Sequence, residues 1–127
     1  MARLMSVRLT EQAVRERRKV VTRRLGWQFL RPGDRLTLCR KVQGRRPGEP
    51  LVRLAEVEVV DVRRERLDAI APGEATREGF PHLTDREFVA FFCQAMRCTP
   101  ETEVTRVAWV YLSEVAQVAA QLSEVQT

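Results

Sequence analysis

Lys19, Thr22 and Glu78 supply an amine, an alcohol and a carboxylate, groups that can serve as base, nucleophile and proton carrier. A threonine hydroxyl is a poor nucleophile until a base takes its proton, and a lysine at its ordinary pKa of about 10.4 is almost wholly protonated at neutral pH. Lys19 lies in the stretch from Arg15 to Trp27, which packs six cationic side chains around Val20 and Val21. Crowding by Arg17, Arg18, Arg23 and Arg24, with partial burial, pushes the amine toward its neutral form through like-charge repulsion and desolvation, whereas direct pairing with Glu78 pushes it back. Glu78 then orients the lysine or exchanges a proton with a leaving amine, help that is typically worth roughly 10²- to 10⁴-fold. The same residues support a binding role, with Lys19 and Arg24 on a phosphate, Thr22 donating a hydrogen bond and Glu78 acting as a helix-end or ion-pair partner. A purely structural salt-bridge cluster is the third reading.

The charge distribution bears on what such a site would attract. The net charge of +5 conceals eighteen basic against eight acidic residues in 1–66, or +10, and four against nine in 67–127, or −5. A first half this basic attracts polyanions, which makes nucleic acid or nucleotide the leading partner. Twenty arginines against two lysines also fit a solvated arginine-rich surface. The nucleic-acid-binding candidates are Arg17, Arg18, Arg23, Arg24, Arg45 and Arg46 for phosphate contacts, with Trp27, and Phe80 next to Glu78, as rings on which a base could stack or that pack in the core.

To gather Lys19 with Thr22 and Arg24, the chain must still be turning at the lysine, because on a regular strand Lys19 points to the opposite face. The local pattern predicts that. Leu4 to Arg8 alternates like a strand, and Thr10 reads as the N-cap of a short helix ending near Arg18, stapled by Leu9 and Val14. Val20, Val21 and Thr22 then favour extended backbone. Pro32-Gly33-Asp34 is a turn, Arg35 to Val42 a strand, residues 43–50 a hairpin loop, and Leu51 to Val62 a long strand. Its inward face is Leu51, Arg53, Ala55, Val57 and Val59, with a bulge near Val59-Val60. A short helix is expected around Glu74 to Glu78. Thr84-Asp85-Arg86-Glu87 is a capping box that opens a helix carrying Phe88, Phe91, Phe92, Ala95 and Met96 on one stripe, read as a core face laid over a sheet. Val104 to Leu112 is a central strand buried on both sides, and Ser113 begins a terminal helix.

At 127 residues the chain holds one domain with a real core. No apolar run approaches the roughly 18 residues that span a bilayer, and charge interrupts the N-terminal stretch too early for a secretory signal, so a cytoplasmic protein is expected. Cys39, Cys93 and Cys98 lack the pairing of a disulfide framework and read as reduced, buried residues. With His82 the sole histidine and no C-x-x-C pair, neither a metal site nor another cofactor is expected. Four or five strands with one strong helix over the sheet suggest an α+β fold built on a small mixed β-barrel.

Lys19-x-x-Thr22-x-Arg24, the Gly33-Asp34 turn, and Glu78-Gly79-Phe80 ahead of a phenylalanine-rich helix resemble the ASCH family of PUA-like β-barrels across most of residues 1–112. Residues 113–127 lie outside the pattern as a C-terminal extension. The resemblance implies a cleft that takes RNA or a modified nucleoside. For some small bacterial members it implies an amidohydrolase that removes the acetyl group from N-acetylated cytidine, with Lys19, Thr22 and Glu78 at the matching positions. A third expectation, from a different class, is a protein interaction module that docks through the terminal helix. The oligomeric state does not follow from the sequence.

Overall fold

The computed structural model describes residues 2–112. Five strands form a single curled sheet: β1 (Arg3–Ser6), β2 (Val21–Arg24), β3 (Arg35–Cys39), β4 (Arg53–Arg66) and β5 (Glu103–Tyr111), in the order β1-β3-β4-β5-β2. β1 runs parallel to β3 and the other neighbours are antiparallel, so β1 and β2 are the free edges of a half-barrel. Among the described residues three helices decorate it, α1 (Glu11–Arg15), α2 (Glu74–Arg77) and α3 (Asp85–Met96), with 3₁₀ turns at Arg8–Thr10 and Leu67–Ala69. This is an α+β architecture.

The core fills the concave side of the curl. Met5, Leu36, Leu38, Val57, Val59, Val107 and Trp109 are buried there, joined by Val14 of α1. Deleting one such branched side chain typically costs about 2–5 kcal/mol. A second cluster, Leu67, Ala75, Phe88, Phe92 and Val104, lies under α3 at the far end of β4 and β5. The long β4 bends at the expected place, with register moving from Val59 opposite Trp109 to Asp61 opposite Ala108, so that Val60 is the extra residue of a bulge. The interior strand β5 is buried over most of its length.

Several local expectations need correction. The capping box at Thr84 and Glu87 forms in both directions, but Thr10 caps nothing: its hydroxyl donates back to the Val7 carbonyl at 3.4 Å, because a 3₁₀ turn precedes α1. α1 stops at Arg15 rather than Arg18, since Arg17 takes a left-handed conformation (φ 58°) and reverses the chain. β4 runs on to Arg66. Arg53, placed inward by simple alternation, is exposed, because the register slips between Leu38 and Cys39. Thr37 and Cys39 are buried along with Leu36 and Leu38, so β3 is covered on both faces. Residues 113–127, including the expected terminal helix, lie outside the described residues.

Candidate functional site

The left-handed turn at Arg17 brings Lys19 in beside β2, where its side chain bonds the same carboxylate as Arg23. Behind the turn, the Arg18 and Lys19 amides donate to the Ala13 carbonyl and the Val20 amide to Arg77, while the Lys19 carbonyl accepts from Trp109 Nε1 and the Tyr111 hydroxyl. The backbone at Lys19 is thus held from α1, α2 and β5 together. Its side chain crosses to Glu78.

Glu78 is placed by a Schellman ending of α2: the Gly79 amide donates to Thr76 and the Phe80 amide to Ala75, with Gly79 at φ 99°. A Cβ at Gly79 would stand 3.0 Å from Thr10 Cγ2 and 3.1 Å from Ala13, so only glycine lets this turn press against α1. The other end of α2 is held by Asp85, whose carboxylate accepts from the Gly73 and Ala75 amides. The Glu-Gly pair therefore sets the depth at which the carboxylate sits.

Lys19 Nζ lies 2.6 Å from the Glu78 carbonyl and 3.2 Å from Oε1, and both side chains are buried. Arg23 is more enclosed still. It bonds Glu78 at 3.1 Å, Glu65 at 3.1 Å and Glu74 at 3.2 Å, and Arg106 bonds Glu74 at 2.8 Å. Burial drives the Lys19 pKa down, with Arg24 and Arg23 adding to the shift and Glu78 opposing it. The cations that lower it are thus the strand arginines Arg24 and Arg23. For Glu74, burial favours the neutral acid, but Arg106 and Arg23 outweigh it and hold the pKa below the usual range.

Arg24 differs from Arg23. Its Nε donates to Thr22 Oγ1 at 3.2 Å and its Nη2 to the Ser6 carbonyl at 2.7 Å. The second bond joins β2 to β1 and stitches the two free edges of the sheet. Burial pulls this guanidinium below its ordinary value, with Glu78 opposing.

At that seam opens a cleft of about 260 Å³. Lys19, Thr22, Arg23, Arg24 and Glu78 all line it, and the facing wall is Phe80 with Phe88, Phe91, Phe92, Ala95 and Met96 of α3. Phe80 sits 5.4 Å from Phe91 and 5.6 Å from Phe88 in tilted geometry. The stripe read as core is divided: Phe88 and Phe92 are buried, while Phe91 and Met96 retain exposure and turn toward the opening. Among the described residues no hydrogen bond joins Thr22 to Lys19 or Glu78; the hydroxyl oxygen is engaged by Arg24.

Five of the eight nucleic-acid-binding candidates lie outside the cleft, and Arg23, Arg24 and Phe80 line it. Arg17 stacks over the Tyr111 ring at 5.8 Å, and Arg18 pairs with Glu16 at 2.6 Å on an exposed surface. Trp27, half-buried, packs on the main core and 5.4 Å from Phe29. Arg45 donates to the Val42 carbonyl within the β3–β4 loop, where Arg46 is also exposed. Conversely, the sequence reading passed over Arg8 at the mouth and Glu74 in the network. Glu74 was legible as the residue one helical turn before Glu78. No group of three metal-binding side chains converges among the described residues, and no described helix is long and apolar enough to cross a membrane.

No family model matches the chain, nor does any curated protein. Among solved structures, it is similar to a DUF984 protein from Enterococcus faecalis V583, with a TM-score of 0.63 and 14% identity over 87% of this chain and 80% of that one. It is also similar to an ASCH domain from Lactobacillus crispatus JV V101, with a TM-score of 0.53 and 12% identity over 81% of this chain and 70% of that one. The chain has an ASCH-like fold.

Proposed function

We propose that the domain binds RNA or a modified nucleoside by taking a single base-sized group into the cleft at the seam of its sheet. The observation that carries this reading is the pairing of a polar end, formed by Lys19, Thr22, Arg24 and Glu78, with an aromatic wall formed by Phe80 and α3. A nucleobase has a flat apolar face and an edge of donors and acceptors, and the two sides of the cleft match these. At about 260 Å³ the cavity is slightly smaller than drug-sized small-molecule sites, which span roughly 300–1,000 Å³. That suits one nucleoside and not a stretch of strand, so RNA would enter by an extruded or terminal base. Free thiols at Cys39, Cys93 and Cys98 suit the reducing cytoplasm. Titration of the protein with a panel of modified and unmodified nucleosides and short RNAs tests the reading. Saturable binding that is lost in Phe91→Ala supports it, and absence of binding across the panel refutes it.

A second reading, amidohydrolysis of an acylated nucleoside, is favoured by one observation: Lys19, with its pKa lowered, lines the same cleft as Thr22. In this scheme the Thr22 hydroxyl adds to the acyl carbon and its proton passes to neutral Lys19. The C–N bond then breaks as the leaving amine takes that proton, and water cleaves the resulting threonine ester. Arg24, which donates to Thr22 Oγ1, stabilises negative charge developing on that oxygen. Incubation with N-acetylated cytidine, followed for loss of the acetyl group, decides it: turnover abolished in Thr22→Ala with nucleoside binding retained supports the scheme, and no turnover by the unaltered protein removes it for that substrate.

A further inference from the structure

The buried cations of the cluster differ in their partners. Lys19, Arg23 and Arg106 face the three carboxylates Glu65, Glu74 and Glu78. Arg24 lines the same cleft with no carboxylate within ion-pair distance among the described residues, and its two bonds go to a hydroxyl and a carbonyl. Those bonds use Nε and Nη2. Nη1 has no hydrogen-bond partner among the described residues. A guanidinium so placed carries a desolvation cost that a ligand oxyanion would offset, through a charge-assisted bond from a donor already fixed in position. Arg8, exposed at the mouth, likewise has no ion pair among the described residues.

The rest of the mouth is apolar. Leu9 is 65% exposed and Met96 42% exposed, and both line the opening. A track for a polynucleotide backbone carries a run of cations along it. Here the cations lining the cleft are Arg8 at the mouth and Lys19, Arg23 and Arg24 within it, and Lys19 and Arg23 are already paired with Glu78.

We infer that the ligand is a small molecule joining one oxyanion to a planar ring, with Arg24 as the anchor for the oxyanion and the Phe80–Phe91 wall as the surface for the ring. The inference rests on the reading of the cleft as a ligand site and narrows it to an anionic ligand. A nucleoside monophosphate has this chemistry, and an aromatic carboxylate is the other source of it.

Calorimetric titration of the full chain at low salt with cytidine, cytidine 5′-monophosphate, benzoate and inorganic phosphate tests it. The expected result is that the monophosphate or benzoate binds roughly tenfold or more tightly than cytidine, as a charge-assisted contact should provide. Preference for the monophosphate assigns the oxyanion to phosphate, and preference for benzoate assigns it to carboxylate. Added salt should weaken the anion and leave cytidine unchanged, a readout that needs no variant. Arg24→Gln should abolish the preference, and Arg24→Lys, which keeps the charge if the seam bond to Ser6 is disturbed, should restore part of it. Cytidine binding as tightly as its monophosphate, with no salt dependence, overturns the inference and spares the ligand-site reading. Failure of all four probes to bind overturns both.

Discussion

Replacing Glu78 with glutamine keeps the shape of the side chain and removes one charge from between Lys19 and Arg23. The lost contacts are 3.2 Å to Lys19 Nζ and 3.1 Å to Arg23 Nη1. At an effective dielectric near 20, each is on the order of 5 kcal/mol of gross Coulomb attraction. Arg23 keeps Glu65 and Glu74 and stays compensated. Lys19 keeps only the carbonyl of residue 78, an acceptor without a charge, so the lysine's proton is what gives way. Its pKa is already lowered by burial, with Arg24 and Arg23 adding and Glu78 opposing, and Glu78→Gln lowers it further. For a lysine whose folded pKa is below its unfolded value of about 10.4, the unfolded chain binds more protons in the interval between the two, so stability rises with pH there. The slope approaches about 1.4 kcal/mol per pH unit, or at most about 3 kcal/mol between pH 7 and pH 9. In the variant this interval opens at lower pH than in the parent. The stability difference between them therefore shrinks as the pH rises through that interval, and pH 6 to pH 9 is the range over which it is read. Urea unfolding across that range measures it, and in a Lys19→Met background the difference should no longer depend on pH. A difference that is constant from pH 6 to pH 9, or that grows, would refute the claim that Glu78 holds the proton on Lys19.

Gly79→Ala must place a Cβ at φ 99° and 3.0 Å from Thr10 Cγ2, so thermal unfolding should show a loss of about 1–3 kcal/mol, with nucleoside affinity falling as Glu78 shifts. The pair Arg45→Gln and Arg46→Gln, on the exposed β3–β4 loop away from the cleft, should leave both stability and nucleoside affinity within error; a large fall in nucleoside affinity would show that the loop closes over the site. Removal of residues 113–127 tests the interaction-module expectation: a changed elution volume or loss of partner capture, with ligand affinity retained, is the result it requires.

Much of the frame was legible because local rules and burial agreed. The capping box of α3, the β4 bulge and the β-rich β5 are each announced by a few adjacent residues, and the structure has all three. What was not legible depended on contacts across the fold. Nothing in the Arg17-Arg18 pair says that Arg17 adopts a left-handed conformation, because arginine does so only when surroundings over-determine it; here the Ala13 carbonyl and β5 fix the chain on its far side. Arg23 and Arg24 are identical in type and adjacent in sequence, yet alternation on β2 sends one among three carboxylates and the other to the seam. Composition cannot separate them.

That divergence also explains why the site sits where it does. A half-barrel has two unpaired edges, and an edge is a liability unless it is paired, short or covered. In this chain β1 and β2 are each four residues long, and Arg24 bridges them through Ser6 instead of a continuous ladder. A side-chain stitch leaves a gap that a ladder would have sealed, and α3 lies beside the gap with part of its phenylalanine stripe still exposed. Filling the seam with apolar residues would remove the opening. The buried ion network fills it with groups that must be paired, so the structure keeps Lys19 and Glu78 in register at the cost of desolvating both. The cleft, its polar floor and its aromatic wall thus share one origin, the incomplete closure of the sheet between β1 and β2.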